Sequence, residues 1–72
     1  MLAPAESRLR RVYVIQTLDD GLFMTVDLFF CRSLKGAGRL YDREEAELTA
    51  RENLNHGEPF EIHSFWEPWS DY

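Results

Sequence analysis

The fold is decided by residues 11–31, which read RVYVIQTLDDGLFMTVDLFFC. The first part, residues 11–17, is rich in β-branched and aromatic side chains and therefore favours a strand. Residues 18–21 follow as a turn that closes with an Asp-Gly pair, which is typical of a hairpin because both residue types tolerate positive φ. In residues 22–31 the apolar side chains alternate along the chain, so we predict one long second strand.

One helix and one further strand are predicted after this hairpin. Asp42 is a good N-cap, and Glu45 completes a pair that resembles a capping box. We expect the helix to span residues 43–54 and to stop at Gly57 in the left-handed conformation. Residues 60–66 alternate again and predict the third strand. The predicted fold class is therefore a small α+β domain of order β-β-α-β, with an antiparallel sheet and one helix packed on one face.

The alternation also assigns side chains to the core. In the second strand the predicted core face consists of Leu22, Met24, Val26, Leu28 and Phe30. In the third strand the predicted core residues are Phe60, Ile62 and Trp66.

Size and charge limit what the chain does. It has 72 residues, which suit one domain, with a flexible arm expected over residues 1–9 and an aromatic tail over residues 67–72. Thirteen acids oppose eight bases, and the net charge is −5. Phosphate binding needs a basic surface, so we expect no direct contact with nucleic acid. A lone cysteine, Cys31, is typical of a reducing compartment, and no apolar run approaches the length of a membrane span. We therefore expect a cytoplasmic protein that does not contact membranes.

No sequence motif carries catalytic or metal-binding chemistry. Glu61 and His63 project from the same side of a strand, but a metal usually takes at least three protein ligands. Nothing in the sequence fixes a base near Cys31 to activate its thiol. The glycine-rich residues 35–39 precede an acidic helix start, which would repel a phosphate. We expect no enzymatic activity, no cofactor and no metal ion.

Two groups of residues are candidates for binding a partner protein. The aromatic group exceeds what one helix on one sheet can cover, and it consists of Phe65, Trp66, Trp69 and Tyr72. The acidic group lies on the predicted helix and consists of Glu44, Glu47 and Glu52. It suits a basic groove of a partner, such as one that binds nucleic acid. The alternatives are an ordinary solvated helix face and a tail that folds over the open sheet face or forms a homodimer seam.

The layout resembles that of small phage and prophage accessory proteins. The resemblance lies in the closing strand and in three segments: Tyr13-Val14-Ile15, Asp20-Gly21-Leu22-Phe23 and Tyr41-Asp42-Arg43-Glu44-Glu45-Ala46. It covers most of the chain from Tyr13 to Trp66 but includes no diagnostic motif, so it transfers no functional residue. Some members of that group are anti-CRISPR and other anti-defence inhibitors, which implies an inhibitor that occludes a functional surface of a host complex. The alternative is a structural homodimer or assembly subunit that buries its aromatic face against its own copy.

Overall fold

A computed structural model describes residues 9–68 of the chain. In chain order its elements are β1 (Leu9–Thr17), β2 (Phe23–Met24), β3 (Phe30–Cys31), a short 3-10 helix (Leu34–Gly36), α1 (Arg43–Asn53) and β4 (Phe60–Pro68). The strands form one antiparallel sheet in the order β3-β2-β1-β4. The small α+β domain predicted from the sequence is confirmed.

The long ladder between β1 and β4 is the most extensive pairing in the sheet. The two strands pair along their whole length, and Thr17 lies opposite Phe60. At the other side of β1, the backbone N–H of Thr17 donates to the carbonyl of Leu22 at 2.9 Å. Gly21 has a φ of 71°, so the Asp-Gly turn predicted between the first two strands is confirmed.

The single long second strand predicted over residues 22–31 is wrong. The chain reverses in its middle, where the N–H of Thr25 donates to the carbonyl of Phe29 at 2.8 Å and the N–H of Leu28 donates to the carbonyl of Thr25 at 3.0 Å. Leu28 has a φ of 68°, in the left-handed region. A left-handed residue that closes a β-turn is what a three-residue hairpin loop requires. Two short strands, β2 and β3, therefore replace one long one.

Helix α1 begins as the sequence predicts. The Asp42 carboxylate accepts a hydrogen bond from the N–H of Glu45 at 3.3 Å, which satisfies one of the free donors of the first turn. Ala46 and Ala50 are completely buried. Because their side chains are small, α1 lies close to the sheet.

The helix ends at Asn53, one residue earlier than predicted. Gly57 has a φ of 80°, as expected of a left-handed residue. It lies three residues beyond the cap residue, Leu54, so it shapes the connection to β4 instead of ending the helix.

The core beneath α1 is small. Its buried residues are Ile15, Met24, Ala46 and Ala50, with Tyr13, Leu40, Leu54, Phe60 and Ile62 packed against them. Trp66 was predicted to join this core and lies on the same face as Phe60 and Ile62, but it is 57% exposed. The ladder places Trp66 opposite Arg11, near the start of β1, and the cluster beneath α1 does not extend that far.

Part of the opposite face of the sheet, along β1, is buried as well. Val12 and Val14 are 0% exposed, although they project away from Ile15 and α1. The guanidinium of Arg39 lies 5.6 Å from the ring centre of Phe65, which is the ladder neighbour of Val12. The segment that holds the 3-10 helix and Arg39 therefore covers this face where the helix does not.

Candidate functional site

Exposed apolar side chains concentrate in the turn between β2 and β3. We call residues 25–30 the hairpin tip. Val26 is 73% exposed and Phe29 is 72% exposed, and Leu28 and Phe30 are exposed as well. Turns are usually built from polar residues and glycine, and a contiguous apolar group at the surface marks an interaction site. The hairpin tip corrects the prediction that Val26, Leu28 and Phe30 lie in the core.

The hairpin tip is held in place by the chain beside it. The N–H of Gly38 donates to the carbonyl of Met24 at 2.9 Å. A Cβ at position 38 would lie 2.9 Å from the backbone nitrogen of Val26, so only glycine allows this close approach. Leu28 adopts its left-handed conformation at a cost of about 1 kcal/mol or more, and such strain is found preferentially at binding sites.

A cleft of about 140 Å³ lies between the hairpin tip and α1. Its lining is mainly apolar, with Thr49 from the helix, and includes Ile15, Met24, Val26, Leu28 and Leu40. Sites for drug-sized ligands typically span about 300–1,000 Å³. The cleft is smaller than that, so it suits a single apolar side chain of a partner.

The predicted acidic residues of the helix do not act as one group. Glu44 and Glu52 are exposed. Glu47 lies between two arginines, 3.8 Å from Arg43 and 4.0 Å from Arg51, so its charge is compensated within the helix. Of the three, Glu44 and Glu52 are the carboxylates available to a partner.

Helical spacing places two acids on the side of α1 that faces the cleft. Thr49 lines it, and residues three or four positions away share its side of α1, which places Glu45 and Glu52 there. Asp27 lies in the hairpin tip itself and is exposed. The sequence predicts these three acids as part of an acidic surface, and no sequence pattern places any of them beside an apolar site. Asp27 was the available signal, because an acid within an apolar run favours a turn.

The aromatic group is not brought together within the described residues. Trp69 and Tyr72 lie outside residues 9–68. Phe65 and Trp66 are adjacent in β4, so their side chains project from opposite faces of the sheet. Phe65 is half-buried beneath Arg39, whereas Trp66 is exposed with the guanidinium of Arg11 5.6 Å from its ring centre. Trp66 is thus the member of the group that the described structure presents to a partner.

The remaining reactive side chains are dispersed. Glu61 and His63 share a side of β4, as predicted, with 3.9 Å between a carboxylate oxygen and Nε2 of the histidine. That same Nε2 lies 2.7 Å from the Gln16 side-chain oxygen. The Cys31 thiol donates to the carbonyl of Ser33 at 3.2 Å. From Leu9 to Pro68, no three histidine, cysteine, aspartate or glutamate residues are grouped so as to hold a metal ion.

In the described part of the chain, no helix has both the length and the apolar character needed to cross a membrane.

Comparison with known proteins gives no family assignment. The resemblance to phage accessory proteins stays a prediction. No protein-family model matches the sequence, and no curated protein or solved structure matches it either.

Proposed function

We propose that this chain is a small, non-enzymatic protein-binding regulator that docks its hairpin tip into an apolar pocket of a partner protein. The observation that carries the proposal is the exposure of Val26 and Phe29, both above 70%, on a turn braced by Gly38. Apolar anchors that fill a pocket dominate the binding energy of protein interfaces. A braced turn also loses little conformational entropy when it binds.

Charge indicates what surrounds the partner's pocket. Asp27 lies in the hairpin tip, Glu45 and Glu52 lie on the same side of α1 as Thr49, and the chain as a whole carries a net charge of −5. A partner with basic residues around an apolar pocket complements this surface. Proteins with a basic nucleic-acid groove fit that description, and the chain would act there by occlusion. A phage anti-defence inhibitor of a host complex is the most specific form of this proposal.

Replacement of Phe29 by serine tests the proposal directly. Wild-type chain, Phe29→Ser and the control Leu48→Ser are immobilised and exposed to the same bacterial lysate. Leu48 is 58% exposed on α1 and does not line the cleft, so its loss changes surface hydrophobicity without touching the hairpin tip. We expect wild type and Leu48→Ser to capture the same protein, and Phe29→Ser to bind it about tenfold more weakly or worse.

The melting temperature of Phe29→Ser should remain close to that of wild type, because the side chain is mostly in water. Equal capture by Phe29→Ser and wild type would remove the hairpin tip from the interface. Lipid vesicles of zwitterionic and anionic composition provide a second arm. If the wild-type chain binds vesicles and Phe29→Ser does not, the hairpin tip binds a membrane and not a protein.

Charge reversal tests the acidic border of the cleft. Glu52→Lys and Glu44→Lys change the net charge equally, but only Glu52 shares a side of α1 with Thr49. We expect Glu52→Lys to slow association with the captured partner several-fold at low salt and to leave dissociation nearly unchanged, because electrostatic steering acts mainly on the association rate. Surface plasmon resonance at two salt concentrations measures both rates. Equal slowing by the two variants would assign the effect to net charge alone.

A further inference from the structure

Within residues 9–68, the outer side of β4 is an open sheet edge. Directly after β1, the N–H of Leu18 donates to the carbonyl of Pro59 at 3.1 Å, whereas within β1 both backbone groups of Tyr13 bond to Leu40 on the other side. Backbone groups alternate in direction along an antiparallel ladder. The N–H and carbonyl groups of Ile62, Ser64 and Trp66 therefore point away from β1. Between Leu9 and Pro68, no strand pairs with them.

This edge carries few of the features that usually block pairing. Natural edge strands are short, or carry lysine, proline or a bulge. β4 is nine residues long, and its ladder with β1 continues without a bulge. Residues 60–67 contain neither lysine nor proline, and prolines stand only at the ends, at Pro59 and Pro68. Such an edge accepts another strand.

We propose that the edge binds a second copy of this chain, with the two β4 strands antiparallel about a two-fold axis at His63. Phe60 then lies opposite Trp66 of the second copy, and Ile62 lies opposite Ser64 of the second copy. All outward backbone groups from residue 60 to residue 66 find partners in this register. It forms two aromatic cross-strand pairs and covers Trp66, the large side chain that the monomer leaves 57% exposed.

Neighbouring registers are less favourable. An axis at Ser64 places Glu61 directly opposite Glu67 of the second copy, and like charges in that position repel. An axis at Ile62 pairs only residues 60–64 within the strand and leaves Trp66 without an aromatic neighbour. The axis at His63 instead places Glu61 opposite Phe65 and diagonal to His63 of the second copy.

Charge on α1 does not oppose a second copy at this edge. Arg51 lines the same crevice as Phe60, so the side of α1 toward β4 carries the row Arg43, Glu47 and Arg51. That row contains both signs of charge, so two copies meet there without the repulsion that the acidic side of the helix would cause. The hairpin tip lies at the opposite end of the strand order, so this pairing is independent of the proposed partner binding.

Disulfide cross-linking tests the register. In a Cys31→Ser background, the two copies of His63→Cys face each other across the axis at a separation that permits a disulfide. The matched control is Glu61→Cys, on the same face of β4 and more exposed. Its two copies lie about 13 Å apart along the strands in this register, too far for a disulfide. We expect a covalent dimer in a thiol-disulfide buffer from His63→Cys and not from Glu61→Cys. Equal cross-linking of both, or of neither, would overturn the proposal.

The mass of the unmodified chain tests the pairing itself. Light scattering should give twice the 8.5 kDa chain mass, with dissociation on dilution. Ser64→Pro removes an outward N–H, which an edge strand tolerates, and should weaken the dimer at least tenfold. Ser64→Ala keeps the N–H and should leave the dimer intact. Circular dichroism tests whether both variants fold. If Ser64→Pro does not fold, the cross-linking of His63→Cys and Glu61→Cys decides whether the two β4 strands pair. A wild-type chain that stays monomeric at its highest soluble concentration would also overturn the proposal.

Discussion

Ile15→Ala is expected to lower the free energy of unfolding by about 2–5 kcal/mol. Ile15 is 2% exposed and is the largest of the fully buried side chains. It packs with Met24, Ala46 and Ala50 beneath α1, and two of those three are alanines that cannot move to fill the space. Proteins have a net stability of roughly 0.05–0.15 kcal/mol per residue. For a chain this short the substitution therefore removes a large part of the total, and urea denaturation should show a much lower midpoint.

Leu48→Ala is the control for this substitution. It also replaces a large aliphatic side chain by alanine, but Leu48 is 58% exposed on α1. Alanine has the highest helix propensity, so we expect a change within about 0.5 kcal/mol. A loss for Ile15→Ala no larger than that for Leu48→Ala would mean that the core does not lie between β1 and α1. An unchanged m-value in both variants would show that the comparison concerns stability alone.

The elements predicted well from the sequence are those with local physical signals. The Asp42 cap places the start of α1 correctly, because a cap depends on atoms only three residues apart. The Asp-Gly turn after β1 is also predicted correctly, because its signal lies in two adjacent residues. The two long strands extend two residues further than predicted, since their ends are fixed by pairing with each other. Pairing between residues so distant in sequence leaves little trace in either segment.

The hairpin tip was missed because its apolar pattern continues through the turn. Alternating side chains over residues 22–31 are what a long strand would show, and the left-handed position is occupied by Leu28 where glycine is usual. A leucine there gives no local warning of a reversal. The features that make the hairpin tip a candidate binding site, exposed Val26 and Phe29, are thus the same features that concealed it.

The covering of the second sheet face also has no local signal. It depends on Arg39, whose Nε lies 3.1 Å from a carboxylate oxygen of Glu67, 28 residues further along the chain. The other end of the guanidinium donates to the carbonyls of Leu34 and Ala37, at 2.9 and 2.7 Å. One side chain therefore joins the 3-10 segment to β4. In the sequence Arg39 stands beside a glycine-rich stretch, and such a stretch favours a loose linker.

Arg39→Met is expected to lower the free energy of unfolding by about 2–3 kcal/mol. Hydrogen bonds to charged groups contribute about 1.5–3 kcal/mol, and removal of one partner leaves the other desolvated. The side chains of Arg39 and Glu67 are only 22% and 29% exposed, so solvent screens the pair weakly. Arg39→Lys keeps the charge but lacks the planar fork that reaches both the carboxylate and the carbonyls, so it should recover less than half of the loss. Chemical denaturation of both variants measures this difference.

Arg51→Ala provides the comparison with a surface ion pair. Arg51 and Glu47 are 4.0 Å apart, with side chains 69% and 40% exposed, and such pairs contribute about 0.3–0.5 kcal/mol within a helix. A double-mutant cycle of Arg39→Met with Glu67→Gln separates the ion pair from the bonds to the two carbonyls. A coupling energy near zero, with a total loss no greater than that of Arg51→Ala, would mean that Arg39 does not hold the 3-10 segment over the sheet.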